Sequence, residues 1–201
     1  MKIFVSLGIS CTVASAIRNI GVRKAAYPFD WVVTYGGITN ILKNFEDYLP
    51  KDTQDICKLS NVFFAHNKFP DDLETMNRRI KRFNDLLNNN FDEIVFIRES
   101  HRSLHHHTSI EAGLELKNDI LDCEELCEYL KTYYPNLKFQ ILLFLICNKC
   151  FETNFSYISK YKELKIQNYV HMNNDICRDG GVIEHVYMNT IQRINNESYK
   201  E

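Results

Sequence analysis

The sequence predicts an α/β fold of three layers, a predominantly parallel sheet flanked by helices in a Rossmann-like arrangement. Three observations predict it. Short β-branched and aromatic runs alternate with amphipathic helical segments along the chain, the order that parallel βαβ units require. One run, Leu137–Cys147 (LKFQILLFLIC), is apolar almost throughout, as a central strand covered on both faces must be. The 201 residues are 45% hydrophobic and 12% aromatic, enough for a proper core and too apolar for a disordered chain.

Each element has its own signal. Met1–Leu7 (MKIFVSL) is a short β-type run closed by Gly8. In Cys11–Ile20, apolar Val13, Ala16, Ile17 and Ile20 fall on one helical face, and Gly21 stops the helix. Tyr27–Thr34 (YPFDWVVT) reads as a buried loop or short strand. Gly36-Gly37 is a break, and Ile38–Leu49 reads as a helix stopped by Pro50. Asn61–His66 (NVFFAH) is the second β-type run. Pro70-Asp71-Asp72 opens a helix with acid in its first turn, which suits the dipole, and Met76, Ile80, Phe83 and Leu87 form its apolar face. Asp92–Arg98 is the third strand, Thr108–Tyr134 a long helix ending before Pro135, Leu137–Cys147 the fourth strand, and Leu164–His171 the fifth. Gly180-Gly181 precedes a last helix, Val182–Ile194. With no repeat, linker or low-complexity block, residues 1–194 read as a single α/β domain and 195–201 as a polar C-terminal tail.

Composition narrows the function classes. Twenty-four basic against 26 acidic side chains argue against a nucleic-acid binder. Seven cysteines are an odd number, and Met1–Leu7 is too short for a secretory signal, so free thiols in a reducing, cytoplasmic setting are expected. The apolar run Ile141–Cys147 is far below the roughly 20 residues a membrane span needs, so no membrane partner is expected. No phosphate loop is present, because Gly8-Ile9-Ser10-Cys11 lacks the P-loop Lys and the later glycines of a dinucleotide fingerprint. No cofactor is expected.

In parallel sheets chemistry collects at the carboxyl ends of the strands. Cys11 falls there, at the start of a helix, where free amides and the dipole favour a thiolate. A buried, inert thiol is the competing reading. A thiol nucleophile needs a base and the base an orienting partner. His66, His101 and His171 all lie at strand ends, with Asp30, Glu99, Asn67 and Asn148 as candidate orienters, and spacing does not choose among them. Asp30, between Phe29 and Trp31, needs a partner if buried, in either a structural or a catalytic role. Arg98 beside Glu99 fits a substrate carboxylate or phosphate, or equally a structural ion pair.

Ser6-Leu7-Gly8-Ile9-Ser10-Cys11-Thr12-Val13-Ala14, then Ile17-Arg18, Gly21-Val22-Arg23 and Pro28-Phe29-Asp30-Trp31, resembles the opening signature of the family named putative papain-like cysteine peptidases. His66-Asn67-Lys68-Phe69 falls where that family shows His-Asp-Phe. Asn77–Phe83 is similar to its Y-x-R-R-I-x-R-F helix, and Ile94–Arg98 to its strand ending in Phe-x-Arg. The resemblance covers about residues 3–99, and Asn67 departs from it. It implies Cys11 as nucleophile, His66 as base and Asp30 as orienter or anchor. Its name also implies an alternative fold, a papain-like α+β core.

The expectation is a cysteine-dependent hydrolase attacking an acyl carbon of a peptide or small-molecule substrate. Ser10, Trp31, Asn67, Arg98, Glu99 and His101 are expected to line the substrate site. Two alternatives stand: an acyltransferase in glycan or small-molecule modification, and a degenerate binding module. His101 and His105–His107 form a histidine-rich stretch that reads as a solvated loop, and Cys147-Asn148-Lys149-Cys150 lacks the second pair of a zinc motif, so no metal is expected.

Overall fold

The computed structural model describes residues 1–8, 10–34, 37–50, 62–64, 66–88, 92–100, 109–148, 157–171 and 180–197. Strand β1 (Lys2–Ser6) leads to helix α1 (Cys11–Asn19), then strand β2 (Val33–Thr34), helix α2 (Ile38–Lys43) and a 3-10 turn (Phe45–Tyr48). Strand β3 (Val62–Phe63), helix α3 (Leu73–Leu87), strand β4 (Glu93–Glu99), helix α4 (Ser109–Tyr133), strand β5 (Lys138–Asn148), strand β6 (Leu164–His171) and helix α5 (Gly180–Glu197) follow. The main sheet has the order β1-β4-β5-β6, and all its pairs are parallel. This is a parallel α/β fold, not a papain-like α+β core.

The pleat sorts the core into two halves. Ile3, Val5 and Leu7, with Ile94, Phe96, Phe139, Ile141, Leu143 and Leu145, point to one face, where α2, α3 and α4 cover them. Phe4, Val95, Ile97, Leu142 and Phe144 point to the other, beneath α1 and α5. Each fully buried side chain of this size stabilises the fold by roughly 1.5–3 kcal/mol. Helix α3 shows how the pattern works. Met76, Ile80, Phe83 and Leu87 recur every three or four residues and are all buried, while its charged residues other than the half-buried Arg79 are exposed.

Two expectations needed correction. No described residue of the expected strand Asn61–His66 enters the parallel sheet. Among those described residues only Val62–Phe63 is strand, and it pairs antiparallel with Val33–Thr34 in a separate two-stranded sheet. The chain then turns, with Asn67 N–H donating to the Phe64 carbonyl at 3.4 Å, so His66 sits in a turn and not at the end of a parallel strand. The predicted helix Ile38–Leu49 is broken at Asn44, whose φ of −127° leaves the helical region. The Asn44 side-chain amide donates to the Asn40 carbonyl at 3.2 Å, beside the backbone bond from Asn44 N–H to the same oxygen. Such side-chain competition for a backbone acceptor is a common way to end a helix. At the other end of the chain, α5 continues through Asn195–Glu197, which the sequence suggested were tail.

Candidate functional site at the carboxyl edge of the sheet

Gly8 carries the chain from β1 to α1 with φ +82°, a left-handed value. A Cβ at Gly8 would lie 2.6 Å from Thr34 Oγ1 and 3.0 Å from the Val32 carbonyl oxygen. Only glycine allows that approach. Ser10 then caps α1 in extended conformation, its Oγ accepting from Thr12 N–H at 3.2 Å. The same hydroxyl donates to Glu99 Oε2 at 2.8 Å. Cys11 is therefore the first residue of α1, and it is half-buried. The other described free thiols, Cys123 and Cys127, are buried in the core. Burial pushes the Cys123 thiol well above its ordinary range and Cys127 up to about 12, so both stay protonated.

Arg98 and Glu99 are consecutive in β4 and point to opposite faces. Glu99 is buried and reaches Ser10 on the α1 side. Tyr187 of α5 also lies against it. Burial first, then the Glu99 carboxylate, raises the Tyr187 hydroxyl well above the ordinary tyrosine range. Arg98 is fully buried on the α4 side. Its Nη1 donates to the Leu7 carbonyl at 2.9 Å and to Thr34 Oγ1, and its Nη2 donates to the Thr34 carbonyl at 2.9 Å. Asp119 lies 3.7 Å from Nη2, and Asp122 accepts from Gly37 N–H at 2.6 Å. Of the two readings of Arg98, these contacts are those of a structural ion pair that ties β1, β2 and α4 to β4.

Asp30 is buried, and its Oδ2 accepts from Arg23 Nη2 at 2.7 Å and from Tyr27 N–H at 3.2 Å. Desolvation still raises its pKa, with Arg23 acting against the rise. Asp30 thus holds a tight turn whose next residue, Trp31, has a left-handed φ of 68°, uncommon for a residue with a side chain. Trp31 sits between Arg18, whose guanidinium lies 5.2 Å from its ring, and His66, which meets it edge-on at 5.8 Å. His66 is exposed. Asn67 Oδ1 is buried without a hydrogen-bond partner among the described residues. Among those residues no hydrogen bond joins Cys11 to a histidine. His101 and His105–His107 lie outside the described residues.

Residues 2–54 match a known family model. The family is described as "Putative papain-like cysteine peptidase (DUF1796)". No curated protein and no solved structure matches the chain. The family match takes in β1, Ser10, Cys11 and the Asp30-Trp31 turn, and it ends before His66.

Sequence reasoning missed Thr34, Asp119, Asp122 and Tyr187, the partners of Arg98, Gly37 and Glu99. Asp119 and Asp122 stand three apart on α4, a spacing that puts both on one face and was readable. Nothing in the sequence singled out Tyr187. Among the described residues no group of His, Cys, Asp and Glu is placed to hold a metal, and no helix is long and apolar enough to cross a membrane. Among the described residues, cavities of about 510 and 560 Å³ are found, and Cys11 lines neither of them.

Proposed function

We propose that the protein is a cysteine-dependent hydrolase in which Cys11 attacks an acyl carbon and His66 serves as base and then acid. The observation that carries this reading is the position of Cys11. Alone among the described thiols it is partly open to solvent, at the first residue of a helix on the carboxyl edge of a parallel sheet. The family match over the same residues supports it.

The chain's own groups have distinct parts in that chemistry. Amides of the first turn of α1 have no partner within the helix and are suited to a developing oxyanion. Thr12 N–H is already held by Ser10, so the role falls to its neighbours. Asp30 acts by position. Through Arg23 and Tyr27 it fixes the turn that presents Trp31, and His66 packs on Trp31. Catalytic contacts often tighten only when substrate binds.

The test is peptide-resolved alkylation by iodoacetamide. The Cys11 peptide should label while those of Cys123 and Cys127 resist. Replacing His66 with Ala should slow Cys11 labelling and turnover of thioester or activated amide probes by about 10²-fold or more, the usual share of a general base. Cys11→Ser should abolish turnover and leave stability within about 0.5 kcal/mol. Turnover by Cys11→Ser equal to that of the native chain would end the proposal.

A further inference from the structure

The basic run Arg78-Arg79-Ile80-Lys81-Arg82 has no part in the chemistry above. Two of its four cations are neutralised along α3, Arg78 by Glu74 at 2.8 Å and Lys81 by Asp85 at 3.2 Å. The other two turn toward the Tyr27–Trp31 segment. Arg82 Nη1 donates to the Ala26 carbonyl at 2.6 Å. Among the described residues Arg79 Nη1 reaches only the Asp30 carbonyl, at 3.5 Å, and Met76 Sδ, at 3.9 Å. Arg23 reaches the same segment, with Nε on the Ala25 carbonyl at 3.3 Å and Nη2 on Asp30.

Two guanidiniums, Arg23 and Arg79, therefore meet at one buried residue, Asp30, with Arg82 beside them on the Ala26 carbonyl, and the Asp30 carboxylate is bonded to Arg23. Asp72, the other acid acting on Arg79, has its Oδ2 on the Lys68 amide at 2.7 Å. Arg79 is half-buried, and its pKa is lowered, by burial first and by Arg23 and Arg82 among its neighbours. Each guanidinium carries five donors, and those used among the described residues are few, most of them directed to backbone carbonyls. Two half-buried cations and an exposed one, with donors left over and few anions beside them among the described residues, suit a ligand with several charged oxygens.

We infer that Arg79, Arg23 and Arg82 form a binding site for the phosphate group of a small phosphate monoester at the Tyr27–Trp31 turn. A polyanion such as nucleic acid fits less well, because the chain as a whole carries a net charge of −2. The site does not rest on the role proposed for Cys11.

Trp31 is the single tryptophan of the chain and follows Asp30 directly, so its fluorescence reports on the site. The experiment titrates the intact protein with inorganic phosphate, glycerol phosphate and acetate at constant ionic strength, by fluorescence and by calorimetry. Both phosphates should saturate with Kd below about 1 mM, and acetate should not. Arg79→Gln should weaken binding by about tenfold or more, the value of one charge-assisted contact. Arg79→Lys should weaken it too, since the charge stays but the fork is lost. Arg78→Gln should leave it unchanged. The inference fails if no phosphate saturates by about 10 mM, if acetate binds as well, or if Arg78→Gln and Arg79→Gln lose affinity equally. Should Arg79→Gln not fold, unchanged binding in both Arg79→Lys and Arg82→Gln overturns it.

Discussion

Arg98 and Glu99 are neighbours in one strand, both buried, and opposite in charge, yet they serve different halves of the molecule. Arg98 faces the α4 side and is held by the Leu7 carbonyl, both oxygens of Thr34 and Asp119, with Asp119 itself fully buried. Glu99 faces the α1 side and holds Ser10, which precedes a thiol still half open to water. The two-residue repeat of the strand alone sets this division. It places an ion pair that closes the architecture on one face and a carboxylate that borders the proposed chemistry on the other. The difference teaches that burial of a charge does not identify a functional residue. What distinguishes the two is whether the partner of that charge lies next to a thiol that is partly open to solvent.

The largest expected effect lies on the Arg98 side. Arg98→Met removes the cation that lies 3.7 Å from buried Asp119, together with the bonds to Leu7 and Thr34. Breaking one member of a buried pair costs about 3–5 kcal/mol, which urea denaturation reads directly. Arg98→Lys keeps the charge but not the fork, and should lose less. At matched stability, Arg98→Lys should label at Cys11 at the native rate. A stability loss below about 1 kcal/mol for Arg98→Met would place it among ordinary surface-like substitutions and break the comparison.

Glu99→Ala should cost less, about 1.5–3 kcal/mol for a hydrogen bond to a charged acceptor. Its signature is on the chemistry. Removing a buried negative charge next to the capping serine lowers repulsion on an attacking thiolate by about 1 kcal/mol, so Cys11 alkylation should speed up on the order of fivefold. Glu99→Gln keeps an acceptor for Ser10 and should show most of the rate effect with less of the stability loss. Equal labelling rates in the native chain and in both variants would mean that Glu99 is as purely architectural as Arg98.

The sequence was informative where local rules act. The bounds of β6 and nearly those of α4 and β5 follow from periodicity, Pro135 and an unbroken apolar run. Cys11 stood out because a strand, a glycine and a helix start fall together in eleven residues. The short strand β3 was overread, because two strand residues and a turn have the same composition as the start of a longer strand. The four-way grip on Arg98 was not legible at all. Its partners come from the residue after β1, from β2 and from α4, and only the folded chain brings Leu7, Thr34 and Asp119 to one guanidinium. Asp30 was legible as an acid in need of a partner, and the fold supplies that partner in Arg23. The convergence of Arg79 and Arg82 on the same turn needed the packing of α3.

The smallest expected effect sharpens the Arg98 side by its pH dependence. Asp122 accepts from Gly37 N–H, and its pKa is raised, by burial first, with Arg98 opposing the rise. A carboxyl with a raised pKa binds its proton more tightly folded than unfolded. Protonated Asp122 therefore contributes stability that is present below the ordinary carboxylate range. That contribution is lost as pH climbs through the ordinary value to the raised one. As pH falls from neutral toward 5, the native chain should gain stability relative to Asp122→Asn, which has no proton to bind. Asp30 has a raised pKa for the same first cause and adds a parallel slope in both proteins, which cancels in the difference. The difference curve, taken from urea denaturation at each pH, thus isolates Asp122. A difference of the opposite sign would mean that Arg98 outweighs burial at Asp122. The Arg98 cluster would then be more strongly electrostatic, and less set by desolvation, than its contacts imply.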